Sequence, residues 1–166
     1  MELEEIVRSI AELVPKIDAT TQVQNKNQRT KRPYVKGVPT LREPQFVQEL
    51  VTQWRKADKN RTGLTDITDE FPYPDSRETC DIVLTGSGID LMLGSWEWAI
   101  EIKYLRLAGN NGNNNDYVMQ KAISPYLKDR SLVHDIEKLK EAGFAKNKAV
   151  IFYGLEYDSG SVEHAE

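Results

Sequence analysis

The sequence predicts an α/β fold. Its expected order is a helix, a three-stranded meander, a second helix and a further strand, giving a central mixed sheet flanked by helices, with an extra N-terminal helix. Three observations predict it. Apolar residues recur at helical spacing in the N-terminal third. The run Trp96-Glu97-Trp98-Ala99-Ile100-Glu101-Ile102-Lys103-Tyr104 alternates as a strand does. Ala149-Val150-Ile151-Phe152-Tyr153-Gly154 is almost wholly apolar, as a strand covered on both faces would be.

In residues 2 to 14, Leu3, Ile6, Val7, Ile10, Leu13 and Val14 fall on one helical face, and Pro15 is expected to help stop the helix. Residues 18 to 40 have no period and read as a basic polar arm or loop. Residues 41 to 56 form the next helix, with Phe46, Val47, Leu50, Val51 and Trp54 as its apolar stripe. Residues 57 to 79 read as a polar connection turned by Pro72 and Pro74. Three short strands follow at about 80 to 85, 89 to 93 and 96 to 104, joined by Gly86-Ser87-Gly88 and Gly94-Ser95. Residues 105 to 116 are a loop by their Gly and Asn content, and residues 117 to 128 a helix broken at Pro125. The helix over 131 to 142 is capped by Ser131 and stopped by Gly143, with Leu132, Ile136 and Leu139 as its stripe. Asp135 lies at the stripe's edge, and His134 and Lys138 are expected to face solvent.

The 166 residues suit one domain with a sizeable core, spanning 1 to 166. Charged residues make up 29% and hydrophobic ones 39%, the balance of a soluble globular protein. No apolar run reaches the length of a membrane span, and the acidic start Met1-Glu2-Leu3-Glu4-Glu5 lacks the features of a signal peptide. The lone Cys80 fits a reducing cytoplasm. Two histidines and one cysteine, widely spaced, exclude a structural zinc site.

Chemistry concentrates on the strand over 96 to 104. Alternation puts Trp96, Trp98, Ile100 and Ile102 on one face and Glu97, Ala99, Glu101 and Lys103 on the other. A carboxylate and an ammonium two residues apart thus project from a strand built for burial, and buried charges need partners or a metal. Upstream lie two candidate aspartates, Asp81 and Asp90. Paired carboxylates hold Mg²⁺ through oxygen, the ion activates a water, and a lysine orients or deprotonates it and offsets developing charge.

This Asp, then Glu101-Ile102-Lys103, resembles the restriction-endonuclease-like, or PD-(D/E)XK, nuclease superfamily, whose core is an αβββαβ unit. The resemblance covers residues of about 41 to 157. It implies a Mg²⁺- (or Mn²⁺-) dependent endonuclease cutting DNA, of the restriction or phage-defence kind, with Glu101 and an aspartate on the metal and Lys103 at the attacking water. It also implies an accessory acid on the first core helix, for which Glu43 is the candidate. The alternative reading of Glu43 is a helix-start glutamate favoured by the helix dipole. The alternative function is a catalytically inactive nuclease-like domain that binds DNA or another protein.

Two strand pairings leave the aspartate open. A tight turn at Gly94-Ser95 would pair Asp90 with Ala99, diagonal to Glu101. If residues 86 to 95 instead protrude, the Asp81 strand pairs with 98 to 104 and Asp81 reaches Glu101. Pro74-Asp75 spells the family's dipeptide but sits in a loop. The net charge of −4 does not advertise nucleic-acid binding, yet Lys26, Arg29, Lys31, Arg32 and Lys36 cluster as a candidate phosphate grip. A domain of this size cutting both strands would act as a symmetric dimer.

Overall fold

A computed structural model describes residues 1–22, 26, 31, 36–59, 65–74, 77–92, 95–106, 122–126 and 131–155. Helix α1 spans Leu3–Thr20 and α2 Glu43–Lys59. Strands β1 (Thr65–Pro72), β2 (Thr79–Gly86) and β3 (Trp96–Arg106) follow, then helix α3 (Leu132–Glu141) and strand β4 (Ala145–Leu155). The sheet order is β1-β2-β3-β4; β1–β2 and β2–β3 are antiparallel and β3–β4 parallel. The expected α/β architecture, with a mixed sheet flanked by helices and an added N-terminal helix, is therefore present. Among the described residues no helix is long and apolar enough to cross a membrane.

Helix α1 does not stop at Pro15. Proline removes one backbone donor, but the helix runs on because Ile10, Leu13 and Ile17 on its inner face are all buried. A single 3₁₀ turn, Val38–Thr40, then brings the chain back. Asp18 Oδ1 accepts from the Val38 N–H at 2.9 Å, and the Gly37 N–H donates to the Thr21 carbonyl at 3.2 Å. Gly37 has φ +89°, and a Cβ there would lie 2.2 Å from Asp18 Oδ1, so only glycine fits this clamp.

Helix α2 buries the expected stripe of Phe46, Val47, Leu50, Val51 and Trp54. Against it pack Ile67, Ile82, Leu84, Trp98, Ile100 and Ile102 from the sheet, together with the inner face of α1. A second apolar cluster lies under α3, formed by Tyr73, Cys80, Val83, Trp96, Ala99, Leu139, Ala142 and Ala145. Trp96 thus packs with Ala99 rather than with Trp98. Its ring joins an aromatic group with Phe71, Tyr73 and Phe144, and its Nε1 donates to the Leu91 carbonyl at 3.2 Å.

The meander differs from its expected form. Its first strand is Thr65–Pro72, inside the segment read as a polar connection. Thr68 pairs with Val83 and Asp69 with Ile82. Residues 89 to 92 form no strand: the Ile89 N–H closes a turn on the Gly86 carbonyl at 3.2 Å, and Leu93 lies outside the described residues. Residues 87 to 92 therefore lie outside the ladder, and β2 pairs directly with β3 through Ile82–Ile100, Val83–Ala99 and Leu84–Trp98. Strand β4 is longer than expected and only partly covered. Ala149, Val150 and Ile151 are half-buried and Phe152 is exposed, because β4 pairs on β3 alone among the described strands. Most of the Asn-rich loop and of the helix expected over 117 to 128 lies outside the described residues.

Candidate active site

Where β2 and β3 separate, a cleft of about 480 Å³ opens between the start of α2, the sheet and α3. Its lining includes Glu43, Asp81, Glu101 and Lys103, so four of the sequence-predicted site residues meet in one place. Asp90 does not line it. It sits exposed on the turn after β2, where its Oδ1 accepts from the Met92 N–H at 2.8 Å. The strand that would have carried Asp90 to Glu101 is not formed. Lys26, Lys31 and Lys36 are exposed and none lines the cleft. Arg29, Arg32 and Asp75 lie outside the described residues.

Asp81 stands one residue beyond the last ladder pair, Ile82–Ile100. Its Oδ2 accepts from the Ile102 N–H at 2.7 Å, filling a ladder position with a side chain. The carboxylate is thereby fixed between the residues that flank Ile102, Glu101 and Lys103. Side-chain alternation breaks at this level. Cys80 and Ile82, two apart, pack into different apolar clusters, as do Ile67 and Phe71 on β1 around Glu70, whose φ is +50°.

Glu101 is only 2% exposed. Its Oε1 accepts from the Tyr73 hydroxyl at 2.5 Å and lies 3.1 Å from Lys138 Nζ. Lys103 Nζ lies 3.3 Å from Glu43 Oε1 and 2.8 Å from Asp135 Oδ2. Glu43 Oε2 also accepts from the Tyr104 N–H at 3.0 Å, so the first residue of α2 is bound to β3 at two points. Asp135 Oδ1 lies 3.3 Å from Lys138 Nζ. The charges form a chain: Glu43, Lys103, Asp135, Lys138, Glu101.

Burial, then the negative charge of Asp81, pushes the Glu101 carboxyl up to about 8, against the pull of Lys138 and Tyr73. Burial, with a smaller contribution from Glu43, pushes Asp81 up to about 6, opposed by the Ile102 N–H. Burial works to lower the pKa of Lys103 and of Lys138, but their carboxylate neighbours outweigh it and raise both, so both ammonium groups stay charged. Burial raises the Tyr73 phenol, which remains a neutral donor to Glu101.

Sequence reasoning missed Tyr73, Asp135 and Lys138. Ser131 caps α3 as expected, accepting from the His134 N–H at 3.3 Å. The helix is nonetheless rotated from its expected facing: Asp135 and Leu139 are buried while Ile136 is 36% exposed. Lys138 therefore enters the cleft, and His134 Nε2 meets Glu78 Oε1 at 3.2 Å on the lining. The signal was the polar series Ser131, Asp135, Lys138 at helical spacing, which shares a face with Leu139 and Ala142.

The oxygens of Asp81 and Glu101 are hard donors of the kind Mg²⁺ takes. Burial raises the proton affinity of both, with the charge of Asp81 adding to it at Glu101 and that of Glu43 at Asp81, and a divalent cation would relieve this. The lining is acidic: Glu43, Glu70, Glu78, Asp81, Glu101 and Asp135 outnumber Arg77, Lys103 and Lys138. Such a cleft repels phosphate unless a cation changes its sign. Among the described residues no group of three or more His, Cys, Asp or Glu side chains is arranged to hold a metal ion. Mg²⁺ asks for less, binding through one or two carboxylates and completing its shell with water and phosphate oxygens.

The fold and the cleft define an α/β protein with an acidic site at the splayed end of two central strands. No family model matches the chain, and neither the curated proteins nor the solved structures give a match.

Proposed function

We propose that the chain is a Mg²⁺-dependent endonuclease of the restriction-endonuclease-like kind, hydrolysing DNA phosphodiester bonds in restriction or phage defence. The observation that carries this reading is the meeting of Asp81, Glu101 and Lys103 in one cleft, with Asp81 bonded to the backbone between the other two. The order α2, β1–β3, α3, β4, with an antiparallel meander and a parallel last strand, agrees with the αβββαβ core of that superfamily. Helix α1 is then an addition to it.

Asp81 and Glu101 would hold Mg²⁺ (or Mn²⁺), which supplies a polarised phosphate and an activated water. Lys103 stays protonated between Glu43 and Asp135, so it orients the water and offsets phosphate charge rather than removing a proton. Glu43 positions Lys103 and ties α2 to β3. Duplex cleavage by a domain this small suits a homodimer in the cytoplasm, where the free thiol of Cys80 would stay reduced.

One observation favours a second reading, a catalytically inactive nuclease-like domain that binds DNA or protein. The ion pairs already compensate Glu101 and Lys103 without any ligand. Incubation with supercoiled plasmid and Mg²⁺, with and without chelator, separates the two. Nicked or linear product only when Mg²⁺ is free supports the enzyme. Intact plasmid at enzyme excess, with DNA retained in a gel-shift assay, supports the inactive domain.

A further inference from the structure

We propose that Lys138 is the resident counter-ion of Glu101, holding its oxygen until a divalent cation takes that place and thereby setting the affinity of the site for metal. This rests on the reading of the cleft as a metal site and adds a residue that competes with the ion.

Whenever it is ionised, a carboxylate as deeply buried as Glu101 needs compensation. It receives it at Oε1 from two groups, the Tyr73 hydroxyl and the Lys138 ammonium. Tyr73 is neutral, so Lys138 carries the compensating charge. An ammonium on that oxygen would strongly repel a divalent cation that Glu101 and Asp81 helped to hold.

Lys138 has somewhere to go. Its Nζ already lies 3.3 Å from Asp135 Oδ1, one turn back on α3, and 5.7 Å from the centre of the Tyr73 ring. Leaving Glu101 therefore does not leave the ammonium without partners. Asp135 binds Lys103 through its other oxygen, so the same carboxylate holds both lysines and keeps their charges on the cleft lining.

The test is calorimetric titration of the full chain with Mn²⁺ in the absence of DNA, so no turnover enters the readout. Lys138→Met keeps the stem and removes the charge; Lys138→Gln is a second neutral variant. Circular dichroism selects whichever variants remain folded. Each is expected to bind Mn²⁺ about tenfold more tightly than the wild type, as removal of a nearby like charge predicts. A neutral variant with unchanged or weaker Mn²⁺ affinity overturns the proposal and makes Lys138 a structural tie between α3 and β3. Glu101→Gln serves as the control for the underlying reading. If it binds Mn²⁺ as the wild type does, or if the wild type and both neutral variants bind none, the Glu101 metal site itself fails, and the competition with it.

Discussion

The carboxylate of Asp81 accepts the backbone N–H of Ile102 at 2.7 Å, which sets the first acidic residue beside the Glu101–Lys103 pair on the neighbouring strand. Asp90 has no such link and spends its carboxylate on the Met92 N–H in an exposed turn. Asp81→Asn should therefore abolish cleavage and weaken Mn²⁺ binding, while Asp90→Asn should leave both near wild type. Its stability should shift by no more than about 0.5 kcal/mol, as for other surface substitutions. Parallel cleavage assays and titrations check this, and loss of activity only in the Asp90 variant would reverse the assignment.

Lys103→Ala removes a charge held by two carboxylates, one of them the buried Asp135. Cleavage should fall at least about a hundredfold, the scale of losing one electrostatic stabiliser of a transition state. Stability should fall by about 1–3 kcal/mol, because among the described residues Asp135 then keeps Lys138 alone as a cationic partner. DNA affinity in Ca²⁺ should change little. Wild-type turnover in a folded Lys103→Ala protein would remove the lysine from the mechanism.

The metal-free protein should lose stability as pH rises. Glu101 titrates near 4.5 when unperturbed and near 8 in the fold, so between these values the folded chain holds a proton that the unfolded chain has lost. Its stabilising contribution is complete below about 4.5 and is lost as pH climbs through about 8; Asp81, raised to about 6, adds the same sign over a narrower window. The slope is at most about 1.4 kcal/mol per pH unit for each proton. Thermal melts in chelator from pH 5 to 8.5 should show a falling midpoint, which Glu101→Gln flattens and Mg²⁺ reverses. A midpoint that rises across this range would contradict the assigned burial of Glu101.

The site strand was legible in the sequence because Trp98, Ile100 and Ile102 on one side make Glu101 and Lys103 anomalous on the other. Strand β1 was not. Thr65-Asp66-Ile67-Thr68-Asp69-Glu70-Phe71-Pro72 carries few apolar residues, and Ile67 and Phe71 serve different apolar clusters, so no clean period survives. The short apolar run at Ile89-Asp90-Leu91-Met92-Leu93 looked more like a strand, yet residues 89 to 92 lie outside the ladder and Ile89 and Met92 are exposed. Tertiary pairing decided both cases against local pattern. Helix α3 was found with its cap and length, but its facing was set by ion pairs of Asp135 and Lys138 with β3, which a purely apolar stripe does not register.

The acidic cleft leaves the phosphate grip to be sought elsewhere, and the segment before α2 is its candidate. Lys26, Lys31 and Lys36 are exposed, and just after Lys36 the chain is held where Gly37 bonds to Thr21 and Val38 to Asp18. Each lysine that neutralises a phosphate releases counterions and steepens the log–log salt dependence of binding by about 0.9. Replacing Lys26, Lys31 and Lys36 with alanine should weaken binding to unrelated duplexes alike and flatten the slope by up to about three units. The melting temperature should hardly change, because exposed side chains contribute little to folding. The measurement is fluorescence anisotropy of a labelled duplex from low to moderate salt in Ca²⁺. An unchanged slope would leave these lysines as solvated surface and move the search for the DNA contact to Arg77 and His134 on the cleft lining.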